Sequence, residues 1–310
     1  MATKTLILPT PEKLKEIYQD LGMTEEKIDA DVQTIVEWMR KQPHLPNPDG
    51  DERRIRLFLI LCKNSLERTK ESLDQYYTLK SMVPEFFGDR DPTSPPLLRS
   101  MKTSLFIPLP KLTPEGYRVS LSRIRTPEID NFEFSDYVKV NFMSIDIRLS
   151  KLDMFKKEIF IFDLKDINMA LLTTMVPHMK KFVYCATTAY PLRIQEIHII
   201  NMPSYAQTMV NMVLSVLKKK IANRIKIHSS LEDMKKHIGV DILPLDYGGT
   251  FPKTSEELIV DWQEELIKHR EWYLSQNSVN CDENKRTKKP CVKVNMLAGV
   301  EGSFRKLEVD

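Results

Sequence analysis

Nineteen consecutive residues, Ile199 to Leu217, carry no charge, and the run ends directly in Lys218-Lys219-Lys220, followed by Arg224 and Lys226. That is about the length a membrane-spanning helix requires. Asn201, Pro203, Ser204, Gln207, Thr208, Asn211 and Ser215 argue against a span, because lipid would leave their polar groups without partners. A helical reading at about 3.6 residues per turn explains the pattern better. Met202, Tyr205, Ala206, Met209, Val213, Val216 and Leu217 then share one face, with Val210, Met212 and Leu214 at its margins. Ser204, Gln207, Thr208, Asn211 and Ser215 share the other face, and none of them is charged. Such a helix tolerates two environments, although a core helix of a soluble domain fits the same composition. An apolar element that ends in a basic cluster points to contact with a membrane surface without crossing it.

Composition removes several function classes. The 310 residues hold 46 basic and 43 acidic side chains, a balance that does not fit a nucleic-acid binder. The amino-terminal MATKTLILPTPEKLKEIY has no apolar stretch of signal-peptide length, and no transmembrane segment is expected. Cys62, Cys185, Cys281 and Cys291 show neither metal spacing nor a disulfide framework, consistent with a reduced intracellular compartment. Only Cys281 and Cys291, in a polar tail, could pair after oxidation. Nine glycines with one adjacent pair, Gly248-Gly249, do not make a phosphate-cradling loop. The six histidines form no ligand pair of the His-Glu-x-x-His kind, so no metal or other cofactor is expected. No Gly-x-Ser-x-Gly elbow occurs, and Asp163 and Asp166 lack a partner for acid–base work. His198 sits within a strand pattern, opposite Ile197 and Ile199, and reads as a hydrogen-bonded structural histidine. The chain is not read as an enzyme.

Periodicity divides the chain. Pro11 to Phe87 is helical in pattern, with Thr24 and Ser65 as caps and helices expected over 51–61 and 65–80. The Pro-rich 89–96 marks a boundary. Beyond it, strands are expected over 116–123, 160–164 and 196–201, and helices over 134–148, 171–189 and the apolar run. A helix over 255–275 closes this part. Alternating strands and helices argue for an α/β domain with a mostly parallel sheet. The expected domains are 1–90, a helical amino-terminal module; 91–275, the α/β domain; and 276–310, a tail whose last part folds back as an extended strip.

YPLR, IHIINMP, the apolar helix with KKKIANRIKIH, and ILPLDYGGTF, in this order and spacing, resemble the CRAL-TRIO lipid-binding family, in its tocopherol-transfer-protein-like, insect-type branch. The resemblance implies an α/β lipid-binding domain whose sheet floors an apolar pocket, closed by a mobile gate helix and preceded by an all-helical module. It implies floor residues Phe160, Phe162, Leu192, Ile194 and Ile197, and wall residues Ile167, Met169, Met175, Phe182, Cys185, Ala186 and Tyr190. Asn141 and Ser144 would face the ligand head, and Met202, Tyr205, Met209 and Val213 would form the gate. Methionine is abundant here, and flexible thioethers suit adaptable apolar cavities. The implied function is binding of a small hydrophobic lipid (tocopherol, retinoid, carotenoid or similar isoprenoid) and its transfer between membranes. The alternative is phospholipid or phosphoinositide exchange or sensing. The implied location is the cytoplasm, with transient contact to anionic membranes.

Positions at which the family's tocopherol carriers meet phosphoinositides correspond here to Arg193, Lys220 and Arg224. The position two after Arg193 is Gln195 rather than a basic residue. Ile60, Leu61 and Cys62 occupy the place of the arginine-rich segment of the helical module, with only Lys63 following. Half the expected charge is therefore absent from the aligned positions. A solvated helix end, favoured by the helix dipole, also accounts for Lys218 to Lys220.

Overall fold

Three helices of the amino-terminal part are set by their caps. Thr10, Thr24 and Ser65 each accept a hydrogen bond from the backbone N–H three residues on, starting α1 (Pro11–Gln19), α2 (Glu25–Arg40) and α4 (Leu66–Met82). α3 (Glu52–Leu61) and the short α5 (Pro84–Phe87) complete the module. Ile28, Val32, Ile35, Val36 and Met39 recur at helical spacing on α2 and are all buried. The computed structural model describes residues 5–125, 132–287 and 289–297.

A five-stranded sheet follows, β1 (Ser104–Leu112), β2 (Tyr117–Ile124), β3 (Lys157–Asp163), β4 (Ile194–Ile200) and β5 (Ile225–Ile227), in that spatial order. β1 and β2 are antiparallel and the other three pairs are parallel. The sheet is thus mostly parallel, as expected. β1 was not legible in the sequence, because Pro108 and Pro110 cannot donate to a ladder. An edge position removes the conflict, and the register shifts between Pro108 and Leu112.

Alternation along the strands sorts two faces. Phe106, Phe160, Ile197 and Ile199 belong to one hydrophobic cluster; Leu105, Ile107, Leu121, Ile159 and Ile161 belong to the other. α8 (Met169–Ala189) and α9 (Gln207–Val216) pack on the first cluster. α6 (Pro95–Thr103), α11 (Leu231–Lys235) and α12 (Ser255–Lys268) contribute to the second. α7 (Phe134–Ile147) serves both and is buried on every side. α10 (Lys219–Ala222) links α9 to β5, and α13 (Arg270–Gln276) follows α12 after a break at His269, where one continuous helix was expected.

Phe87 of the helical module packs on Phe142 of α7, ring centroids 4.9 Å apart, so module and sheet share one core. At the start of β2 and β3, on the face of the first cluster, Arg148 grips Glu158 with two 2.9 Å bonds and Asp153 with one of 3.1 Å. Arg118 reaches Asp153 at 2.6 Å, and every charge in this network is buried. After α13 the chain crosses α4: Lys80 Nζ donates to the carbonyls of Gln276 and Val279, each at 2.6 Å. The tail then buries Val292 and Leu297 against the first cluster through a tight turn at Val294–Met296, where an extended strip was expected. The rest of that expectation, 298–310, lies outside the described residues.

Candidate functional site

Between the sheet and α8–α9 lies a cavity of about 230 Å³, walled almost wholly by apolar side chains. Phe160, Phe162, Leu192, Ile194 and Ile197 form its floor. Ile167, Met175, Phe182, Ala186 and Tyr190 line the α8 side, and Met209 and Val213 close it from α9. Asn141 enters from α7 beside Tyr137, whose hydroxyl lies 3.2 Å from Ser122 Oγ. Asn141 Oδ1 is buried and has no hydrogen-bond partner.

Five expected residues lie elsewhere. Ser144 sits one turn beyond Asn141 on α7 and faces the opposite cluster, accepting a 2.7 Å bond from Trp262 Nε1. Met169 opens α8 and is 59% exposed. Cys185 is fully buried but outside the lining, and burial pushes its thiol up to about 12. Met202 packs at the margin of the core. Tyr205 is partly exposed, and its hydroxyl donates to the Ile167 carbonyl at 2.7 Å. Helix rotation decides the placements on α7 and α8, and the path of the chain between β4 and α9 decides those of Met202 and Tyr205; a resemblance supplies neither.

Several lining residues were not anticipated: Phe134, Tyr137, Phe142 and Ile145 on α7, Met179 and Val183 on α8, and Leu217, Ile221 and Ile225 beyond the gate. Those on α7 recur at helical spacing with Asn141, a signal that was readable. Ile225 had none, since β5 is only three residues long.

The segment leading into α9 begins at a conformationally special point. Asn201 ends β4 with φ of 52°, a left-handed geometry that asparagine tolerates, and its Nδ2 donates to Asp163 Oδ1 at 2.8 Å. Tyr247 donates to Asp163 Oδ2 at 2.7 Å, and Arg123 pairs with Asp166. These carboxylates therefore organise the loops that lead into α9. A short turn, Ser204–Ala206, precedes α9, where a single helix was expected. Ser204, Gln207, Thr208, Asn211 and Ser215 are all exposed, while Met209 and Val210 are buried. The uncharged outer face read from the sequence is thus real.

The cations beyond the carboxyl end of α9 are more numerous than the sequence positions indicated. Lys63, at φ 57° just past α3, is held below the usual lysine range by the like charge of Arg193, then of Lys220. Burial, then Arg193 and Arg224, does the same to Lys157. Arg193 is lowered by burial, with Arg224 and Arg68 adding to it, and its Nη1 is buried without a partner. Gln195 accepts a 2.7 Å bond from Lys157 Nζ, which also lies 4.9 Å over the Tyr117 ring. Arg224 is engaged with the Ile194 carbonyl. Sequence reasoning missed Lys157 and Arg68, because neither lies near Arg193 along the chain.

Among the described residues, no group of three His, Cys, Asp or Glu side chains has metal-binding geometry, and no helix is long and apolar enough to cross a membrane.

Comparison with known proteins follows the same outline. The CRAL/TRIO domain family matches residues 102–249, and the Pinta-like, UBA domain family matches residues 24–97. Alpha-tocopherol transfer protein-like of Homo sapiens is 26% identical over 225 residues, covering 71% of this chain and 65% of that protein. The Mus musculus protein of the same name is 27% identical over 225 residues, covering 71% of this chain and 64% of its own length. The match thus spans just under two thirds of those relatives. Clavesin-2 of Homo sapiens is 20% identical over 263 residues, 84% of this chain and 80% of that protein. Among solved structures, one titled "Crystal structure of Sfh5" aligns with a TM-score of 0.46 at 8% identity, covering 84% of this chain and 100% of that one. The chain thus carries a CRAL/TRIO domain over residues 102–249.

Proposed function

We propose that this protein binds a small hydrophobic lipid, of the tocopherol, retinoid, carotenoid or similar isoprenoid class, and carries it between membranes from the cytoplasm. The observation that carries this reading is an apolar cavity closed by a helix with no charge on its outer face. Burying about 16 methylene-like groups is favourable by roughly 13 kcal/mol, at about 0.8 each. A bilayer and a pocket supply the same gain, so net transfer between them is nearly neutral and the barrier is what a carrier must lower. A gate that opens with its inner face against acyl chains keeps pocket and ligand from water throughout. The closed cavity is smaller than the roughly 300–1,000 Å³ of common ligand pockets. Ligand uptake therefore involves movement of α9 and of the flexible Met175, Met179 and Met209.

Lys63, Lys157, Arg193, Lys220 and Arg224 would meet an anionic, phosphoinositide-bearing surface. They lie outside the cavity lining, and Arg123, which is part of it, is already paired with Asp166. This favours a neutral cargo over the alternative, phospholipid or phosphoinositide exchange. Nor does any group in the lining pair a nucleophile with a base, so binding rather than catalysis is proposed.

The test is native mass spectrometry of protein purified from its own tissue, with identification of co-purifying lipid. One stoichiometric isoprenoid or retinoid supports the carrier. A mixture of phospholipids replaces it with the exchanger.

A further inference from the structure

On the side of β4 turned away from the cavity, three histidines meet. His198 is fully buried, its Nδ1 2.8 Å from Nε2 of His228, with the rings 5.1 Å apart and 21° from parallel. His237, just after α11, places its ring 5.5 Å from His198 and 5.4 Å from His228. Lys226 of β5 is the register partner of His198, and its Nζ lies 3.2 Å from His237 Nδ1.

Opposing charge is scarce. Glu196 of β4 accepts a 2.8 Å bond from Lys226 and lies 3.1 Å from His198 Nε2, without the alignment of a hydrogen bond. Asp233 of α11 is already held by Ser229 and by Lys236. On β3 the neighbour of His198 is Ile161, which offers no charge. The His198–His228 bond requires one ring nitrogen to accept, so it exists only while at least one of the two rings is neutral. Protonation of all three rings would set four cations against Glu196 and Asp233.

The structural consequence falls on β5. It is an edge strand of three residues, joined to β4 through the pairs Ile197–Ile225, His198–Lys226 and Ile199–Ile227. Ile225 points the other way and lines the cavity, as do Leu217 and Ile221 just before it. We propose that this histidine cluster is an acid-sensitive catch that holds β5, and with it the far end of the gate, against the cavity. The catch rests on the carrier reading for its purpose, but its mechanics do not.

Burial depresses the His198 imidazole to about 4, with His228 and His237 adding to the effect. Burial, then His237, lowers His228 as well. Both groups bind a proton less readily when β5 is closed than when it is open and solvated. The closed form is therefore favoured fully above about 6.5, the ordinary histidine value, and loses that advantage as pH falls from there toward 4. An anionic membrane at about −30 mV lowers the local pH by about half a unit, shifting the protein toward this window as it docks.

Hydrogen exchange of the full chain, corrected for intrinsic rates, tests the catch at pH 7.5 and pH 5. Protection of the 225–228 amides is expected to fall by about tenfold at pH 5, equivalent to one pKa unit recovered by one imidazole on opening. His198→Gln with His228→Gln should abolish most of that change, and His237→Gln alone, at an exposed site, should reduce it. Release of a fluorescent nitrobenzoxadiazole-tagged tocopherol should accelerate over the same range. Protection unchanged by pH, or lost equally in the double variant, overturns the proposal. A probe that fails to bind at pH 7.5 counts against the tocopherol carrier reading and leaves the exchange result to decide the catch.

Discussion

The Tyr205 hydroxyl donates a 2.7 Å hydrogen bond to the carbonyl of Ile167, tying the first turn of the gate segment to the loop that opens the pocket-wall helix. Tyr205 is partly exposed, so this bond is worth about 0.5–1.5 kcal/mol net. Tyr205→Phe keeps the ring and removes the latch. Lipid off-rate, followed with a fluorescent probe, should rise by about fivefold while the thermal midpoint moves little. An unchanged off-rate would show that α9 is held by its apolar face alone.

The cation group separates charge from fold. Lys63 and Lys220 are exposed, and the like charge around Lys63 is unfavourable to the free protein. Lys63→Glu with Lys220→Glu should weaken binding to anionic liposomes by about fivefold per charge removed, and more once reversed. Binding to neutral liposomes should not change. Sedimentation with vesicles of defined phosphoinositide content reads the difference directly, and equal loss on both vesicle types would count against an anion site.

Ser144 and Trp262 report on the opposite side of α7. Trp262→Phe leaves the buried Ser144 Oγ without its donor, and should cost about 1–3 kcal/mol in urea denaturation. Probe affinity should hold, because Ser144 does not line the cavity. A large loss of affinity in Ser144→Ala would put that residue back at the ligand.

The buried network at the start of β2 and β3 carries a larger penalty. Arg148→Met leaves Glu158 and Asp153 short of a cation at full burial. A loss of about 3–5 kcal/mol is expected from equilibrium unfolding. Replacing Glu158 by Gln in the same chain should recover part of it, since one uncompensated charge is then removed.

Most of the helical elements, and three of the five strands to within a few residues, were legible because capping residues and periodicity are local properties. Thr24 and Ser65 cap helices wherever they precede a suitable run, and the alternation around Ile197 and Ile199 specifies two faces before any sheet exists. The uncharged outer face of α9 was legible for the same reason. β1 was not, because its prolines contradict a strand until an edge position excuses them. Nor was the division of α7, where Asn141 and Ser144 are three residues apart and face different clusters.

By itself, then, the sequence determined most of the helices and three of the strands, the CRAL-TRIO resemblance, and the amphipathic run that covers the cavity. Tertiary structure decided which side chains meet. Lys63, Lys157, Arg193 and Lys220 come from distant parts of the chain, as do Tyr205 and Ile167, and His198 and His237. Local rules set direction along one element, whereas contact between elements depends on how their faces pack, and packing is a property of the whole core.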